Sequence, residues 1–326
     1  MKLPRRRLLH LAAGAAALPA VSRIAAGQTY PAHPITMIVP FAAGAGADLV
    51  GRVLAERMRV SLGQPVIVEN VTGAGGSIGA GRTARARPDG YTLDLGHMAT
   101  HVLNGALYPL QYDVLNDFVP ISPVASYPNL LVARKTIPAR DIQELIAWLK
   151  ANPNKATAGI GGGTYVLLAA LFQKETATTF SLLPYRGVAP ARQDLIAGQI
   201  DLSFDVPEGL SQLRAGNIKA YAVTSDARLA QLPDIPTFAE IGLPSLSLSN
   251  WYGLFAPKGT SGEIIAKLNA AVVDALANPA MRSRLGEIEM NLFPRERQTP
   301  EVLDAIVKAD AAKWWPIIKE FRIKAE

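Results

Sequence analysis

A chain of 326 residues that is 49% hydrophobic and 18% charged has the balance of a folded globular protein, with length for two domains and a substantial core. Its formal charge of +6 is uneven: residues 1–27 hold Lys2, Arg5, Arg6, Arg7 and Arg23 and no acidic residue, leaving 28 basic against 27 acidic side chains in the rest, a net of +1. That balance lacks the basic face that nucleic-acid binding needs, and the absence of cysteine rules out disulfides while permitting an oxidising compartment.

The first 27 residues read as a cleaved export signal, with a basic start, an apolar run Leu8–Leu18 and a small-residue site at Ala25-Ala26-Gly27. The run is too short to cross a bilayer, which takes about 20 apolar residues. Arg5-Arg6-Arg7 before Leu8-Leu9 admits the twin-arginine route beside the Sec route, although Pro4 stands where Ser or Thr is usual.

From Gln28 on, short apolar strands alternate with helical stretches, the pattern of α/β layers on a mainly parallel sheet. Strand Ile35–Val39 runs into a small-residue loop, and a helix over Asp48–Ser61 follows with Val50, Val53, Leu54 and Met58 on one face. Gly44 and Gly46 have no Cβ, so backbone N–H groups there can approach a bound group closely. The helix start adds its own unpaired donors and the positive end of its dipole. Phe41, Ala42, Ala43, Gly44, Ala45 and Gly46 with Asp48 are therefore a candidate carboxylate pocket; the plainer reading is a tight turn with Asp48 as the helix N-cap.

Val66–Glu69 is the next strand, Gly73–Gly76 a second loop before a helix to about Arg87, Thr92–Leu95 a third strand, and residues up to about Leu107 read as helical. Around Tyr127-Pro128 the chain enters a second unit, with strand Leu130–Val132 and helix Asp141–Lys150. There the cluster Gly161, Gly162, Gly163, Thr164 opens a helix and repeats the physics of the first loop. A helix over Ala189–Ala197 stops at Gly198, and strand Leu202–Phe204 leads to Asp205. Near Trp251 the chain crosses back through strand Leu254-Phe255 to a helix capped by Thr260 with Glu263, then to a last helix over about Pro300–Phe321 that packs Trp314 and Trp315 on the first unit. The expected division is 28–127 with 251–326 as one lobe and 128–250 as the other.

Several motifs point toward enzymes. Gly75-Gly76-Ser77-Ile78-Gly79 matches a nucleophile elbow, but the later histidines are only His97 and His101, too near in the chain to serve as the late base of such hydrolases. Gly76–Thr83 resembles a phosphate loop with Arg82 in place of lysine, and Gly73, Gly75 and Gly79 are one residue too widely spaced for a dinucleotide fingerprint. His97 and His101 fall on one face of a helix as in a zinc protease, yet Met98 occupies the place of the catalytic glutamate. A secreted esterase using Ser77 stands as the rival reading from another class.

The chain as a whole resembles the Bug family, the extracytoplasmic solute receptors of tripartite tricarboxylate transporters. The resemblance runs nearly end to end through Pro31-Ala32-His33-Pro34, Pro40-Phe41 and the glycines to Asp48, Leu62-Gly63-Gln64-Pro65, and Glu69-Asn70 leading into Gly73–Gly76. It continues through Pro88-Asp89-Gly90-Tyr91-Thr92-Leu93, Asp117-Phe118, Asn152-Pro153, Pro184-Tyr185-Arg186-Gly187, Leu232-Pro233-Asp234, Pro236-Thr237 and Trp251-Tyr252-Gly253.

The resemblance implies an α/β periplasmic-binding-protein-like fold, two lobes joined by two crossover strands with the ligand in the interlobe cleft. It implies a monomeric periplasmic receptor that carries a small organic carboxylate to membrane permease subunits, with no cofactor and no metal; passing the loaded state to a membrane kinase is the alternative. Carried over, the ligand residues are Phe41 to Gly46 with Asp48, and Gly161 to Thr164. The chain departs from the family at Gly44-Ala45-Gly46, where two adjacent glycines are common, and at Val166-Leu167-Leu168, where a His-Leu pair is common. Asp205 is a candidate specificity residue or a helix N-cap before Pro207, and Arg186 serves either a distal carboxylate or a structural ion pair.

Overall fold

The computed structural model describes residues 30–288, 290–321 and 323; the expected export signal lies outside the described residues. In chain order it runs β1 (Ile35–Val39), α1 (Gly46–Leu62), β2 (Val66–Asn70), α2 (Ser77–Ala84), β3 (Thr92–His97), a helical turn over Ala99–Leu103 continued by α3 (Asn104–Leu107), and β4 (Phe118–Pro128). There follow β5 (Leu130–Arg134), α4 (Ile142–Ala151), β6 (Thr157–Ile160), α5 (Gly163–Thr176), β7 (Ser181–Pro184), α6 (Val188–Ala197), β8 (Leu202–Asp205), α7 (Leu210–Arg214) and β9 (Ile218–Val223). The chain closes with β10 (Ser249–Pro257), α8 (Gly262–Ala277), α9 (Pro279–Gly286), β11 (Asn291–Leu292) and α10 (Pro300–Glu320).

The strands form two sheets, ordered β11-β4-β10-β3-β1-β2 and β7-β6-β8-β5-β9, one for each lobe. Parallel pairing is confined to β1 with β2 and β3, and to β6 with β7 and β8; β10, β4, β11 and β5 run antiparallel to their neighbours, so the sheets are mixed rather than mainly parallel. The chain leaves the first sheet at Pro128, enters the second at Leu130 and returns at Ser249, which pairs with Pro128.

At the crossing, buried amides tie the two passages together. Asn129 N–H donates to Thr224 Oγ1 at 2.8 Å, and Asn250 Nδ2 donates to Asn129 Oδ1 at 2.9 Å. Thr164 Oγ1 donates to Asn250 Oδ1 at 3.3 Å, linking the first turn of α5 to the hinge.

Strand β4 escapes detection in the sequence because Pro120 and Pro123 interrupt it. Both sit at register shifts against β10, and β11 covers only Ala125 and Ser126, so their missing N–H groups break no regular ladder. The helix over Gly262–Ala277 is capped by Ser261, whose Oγ accepts from Ile264 N–H, and not by Thr260, whose hydroxyl donates to the Pro257 carbonyl.

One apolar cluster fills the first lobe between β1, β3, α1 and α8, around Met37, Leu54, Leu95, Leu268 and Val272. A second spans both lobes: Leu167, Phe172, Phe204 and Phe238 pack with Val102, Leu103, Leu107 and, from α10, Leu303, Val307 and Trp314. Trp314 is 1% exposed and Trp315 Nε1 donates to the Val102 carbonyl, so the tryptophan pair is structural. Lys174 of α5 pairs with Glu320 of α10 at 2.9 Å, a further tie between lobes.

Candidate functional site

The loop after β1 is shaped by its own neighbours. Asp48 is the third residue of α1, and Ala45 is the N-cap with no side-chain bond, so the expected capping role of Asp48 does not hold. Its carboxylate reaches back instead: Oδ2 accepts from Gly44 N–H and from Arg52 Nε, both at 2.9 Å, and Oδ1 accepts from Asn70 Nδ2 at 3.0 Å. Asn70 Nδ2 also donates to the Phe41 carbonyl at 3.0 Å. Burial favours the neutral acid, but the bonds from Arg52, Gly44 and Asn70 outweigh it and hold the Asp48 carboxyl below the usual carboxylate range. Gly44, with φ 82°, supplies the left-handed residue that turns the loop.

With the loop held this way, the N–H groups of Ala42, Ala43, Gly46, Ala47 and Asp48 have no acceptor among the described residues, whereas Ala45 N–H is bonded to the Ala42 carbonyl. The second lobe repeats the arrangement. Gly162, at φ 146°, is an N-cap without a side-chain bond; the first helical bonds come from Tyr165 and Val166 to its carbonyl, leaving Gly162, Gly163 and Thr164 N–H without an acceptor among the described residues. Gly161 packs on the start of α6: a Cβ there would lie 2.7 Å from the Gly187 carbonyl carbon and 2.8 Å from Val188 N. Two helix starts, those of α5 and α6, thus abut in the second lobe, and both dipoles favour an anion.

The two corners are bridged by the turn before α2 and by α3. A Cβ on Gly76 would meet the Pro40 carbonyl at 3.1 Å, Asn104 Nδ2 donates to the Gly75 carbonyl, and a Cβ on Gly163 would stand 2.7 Å from Leu107 Cδ1. Asn70, Asn104 and Gly187 belong to this neighbourhood and were not singled out as site residues from the sequence. The signal for Asn70 was topological: it pairs with Val39 at the carboxyl end of β2, where α/β sheets place their binding loops. Two grooves, of about 400 Å³ beside Ser77, Tyr108 and Tyr112 and about 560 Å³ beside Lys308 and Trp315, contain none of the loop residues 41–48 or 161–164.

Other expected roles do not fit. Asp205 is 2% exposed and bound by Arg192 through Nε–Oδ2 at 2.7 Å and Nη2–Oδ1 at 2.6 Å, while Oδ1 also accepts from Val206 N–H. Val206, not Asp205, is the N-cap before Pro207, so Asp205 is neither a cap nor an unpaired carboxylate. Arg186 is exposed beside the start of α6. Arg82 is paired with Glu69, which removes it from any phosphate loop. Ser77 Oγ accepts from Asn104 Nδ2 at 2.9 Å, and neither histidine reaches it: His97 Nε2 bonds Tyr127 Oη, and His101 Nδ1 bonds Thr100 Oγ1. His97 ends a strand, so the two rings do not share a helical face, and among the described residues no group of three acidic or histidine side chains is set to hold a metal.

Burial pushes His97 and His101 down to about 3, for His101 with a smaller contribution from His97, and pushes Asp94 up; His101 Nε2 lies 3.8 Å from Asp94 Oδ2. All three are held neutral. Unfolded imidazoles bind protons below about 6.5 that the native rings refuse until about 3, so each ring withdraws up to about 1.4 kcal/mol of stability per pH unit as pH falls below 6.5. Asp94 acts in the opposite sense, since its neutral native form faces an ionised unfolded one, but one carboxyl against two rings leaves the acid side weaker. Melting temperature is expected to fall between pH 6.5 and 4.5 in calorimetry; a flat or rising profile would contradict the neutral assignment.

Comparison with known proteins decides the family. Residues 50–323 match the family described as the tripartite tricarboxylate transporter family receptor. The chain belongs to this receptor family. It is 39% identical to protein BugT of Bordetella pertussis over 303 residues, covering 90% of each chain. Its fold matches that of the periplasmic binding protein BugD with a TM-score of 0.83 at 36% identity, over 91% of this chain and all of that one. It equally matches MatC from Rhodopseudomonas palustris, solved with bound malate, with a TM-score of 0.82 at 36% identity, over 89% and 100% of the two chains. As a member of this receptor family with the fold of the periplasmic binding protein BugD, the protein has the two-lobe periplasmic-binding-protein fold and is placed in the periplasm.

Proposed function

We propose that this receptor captures a small organic carboxylate between its lobes and hands it to the membrane permease subunits of a tripartite tricarboxylate transporter. The observation that carries the reading is the pair of helix starts whose first N–H groups have no acceptor among the described residues, those of residues 46–48 with Ala42 and Ala43 on one lobe and of residues 162–164 on the other. Phe41 forms the wall of the first corner, with Ala45 and Gly161 in the loop backbones. MatC, a relative of the same fold, is solved with malate, which supports a carboxylate as the class of ligand.

Two to four charge-assisted bonds of about 1.5–3 kcal/mol each, set against the cost of association, suffice for micromolar affinity, about −8 kcal/mol. The lobes close by rotation about the Asn129 and Ser249 passages. No catalytic step is assigned; export uses the Sec or twin-arginine signal.

Isothermal titration with a panel of C3 to C6 mono- and dicarboxylates is the test. Micromolar or tighter binding of at least one acid, absent for its methyl ester, is expected. Failure of every acid, or ester cleavage abolished by Ser77→Ala, would sink the reading.

A further inference from the structure

Asn104 opens α3 where the lobes meet and is 1% exposed. Its Nδ2 donates to the Gly75 carbonyl at 3.0 Å and to Ser77 Oγ at 2.9 Å. A carbonyl can only accept, so the amide cannot be turned over without losing that bond, and the Gly75 contact fixes which atom faces the other way. That atom is Oδ1. It is buried, has no hydrogen-bond partner among the described residues, and lies 3.8 Å from where a Cβ on Gly163 would stand, at the start of α5.

Two groups of opposite preference therefore sit side by side. The N–H groups of Gly163 and Thr164 want an acceptor, and Asn104 Oδ1 wants a donor. A simple alkyl carboxylate would satisfy the first and leave the second unpaired. An acid that also bears a hydroxyl or ammonium group would satisfy both, with Leu107 as an apolar neighbour.

We propose that Asn104 is a specificity residue of this receptor, its Oδ1 accepting a hydrogen bond from a hydroxyl or ammonium group carried by the bound carboxylate. The inference rests on the carboxylate reading of the cleft. A site with a buried acceptor discriminates against the analogue that lacks the donor, because binding that analogue leaves the acceptor unpaired. The competing role is a latch, in which Oδ1 takes an N–H of Gly163 or Thr164 when the lobes tighten and never meets the ligand.

Matched acids separate the two. Malate and aspartate are titrated against succinate, and 2-hydroxyglutarate and glutamate against glutarate, into the full-length mature protein and its Asn104→Ala variant, with thermal melts to verify folding. In the wild type at least one donor-bearing acid is expected to bind about tenfold or more tightly than its donor-free partner. In Asn104→Ala that ratio should collapse to within about threefold while the donor-free acid keeps its affinity within about threefold. Equal weakening of both acids would establish the latch and overturn the proposal, as would a preference that survives the substitution. Should the alanine variant not fold, Asn104→Ser leaves a small hydroxyl in the site that is too short to reach toward α5, and the same outcomes apply. A wild type that binds each donor-bearing acid no more tightly than its donor-free partner defeats this inference alone; one that binds no acid defeats the carboxylate reading with it.

Discussion

Gly161→Ala is expected to lower affinity for the bound acid about ten- to a hundredfold and to destabilise the protein by about 1–3 kcal/mol. The added methyl group would lie 2.7 Å from the Gly187 carbonyl carbon, 2.8 Å from Val188 N and 3.0 Å from the Gly187 oxygen. All three are backbone atoms, so no flexible side chain can swing aside. The start of α6 must move away from the start of α5, and the amides of Gly162 to Thr164 turn from the position at which they meet a carboxylate. Losing one charge-assisted bond of about 1.5–3 kcal/mol accounts for the loss in affinity. Gly198→Ala is the control. Gly198 caps α6 at φ 77° with nothing within 4 Å of its missing Cβ, so alanine there strains the backbone but touches no other group. It should lower the melting temperature and leave titration curves unchanged. If Gly161→Ala behaves like Gly198→Ala, the abutting helix starts have no part in binding.

Strand-loop-helix units were legible in the sequence because glycine at a strand's carboxyl end, followed by helical periodicity, has few other uses; Phe41–Gly46 and Gly161–Thr164 came from that pattern. What escaped was whatever depends on elements distant in the chain. Asn70 braces a loop 29 residues earlier through its bond to the Phe41 carbonyl, and nothing local to Glu69-Asn70 announces it. Asp205, at the end of a strand, was open as a specificity residue or an N-cap; Arg192, placed by the next helix back, closes on it from 13 residues away. His97 and His101 looked like a helical pair only while the end of β3 was taken for helix; strand pairing of His97 with Tyr252 separates them. The expected prevalence of parallel strands failed for a related reason, since β4 and β10 serve both as sheet members and as the passages between lobes, and direction of pairing is set by that return.

Asp48→Ala isolates the contribution of loop shape. Removing the carboxylate leaves Gly44 N–H without its anchor and deprives Asn70 Nδ2 of one of two acceptors; Arg52, about half exposed, keeps only its bond to Asn70 Oδ1 at 3.2 Å. A loss of about 1–3 kcal/mol in stability follows from the unmade buried bonds, with affinity for carboxylates down about tenfold or more as the loop over residues 41–46 relaxes. Simple electrostatics predicts the opposite, because deleting a negative charge near an anion site should tighten binding. The two effects separate by magnitude: Arg52 already offsets the Asp48 charge at 2.9 Å, so little repulsion remains to be relieved, whereas the positions of five unpaired amides depend on the bonds that vanish. Loss of a carboxylate that only shapes the loop lowers the affinity of every acid by a similar factor; loss of one in contact with the ligand would reorder the acids. Thermal melts and parallel titrations of the acid panel distinguish these results, and tighter binding in Asp48→Ala would show that charge, not loop geometry, governs the first corner.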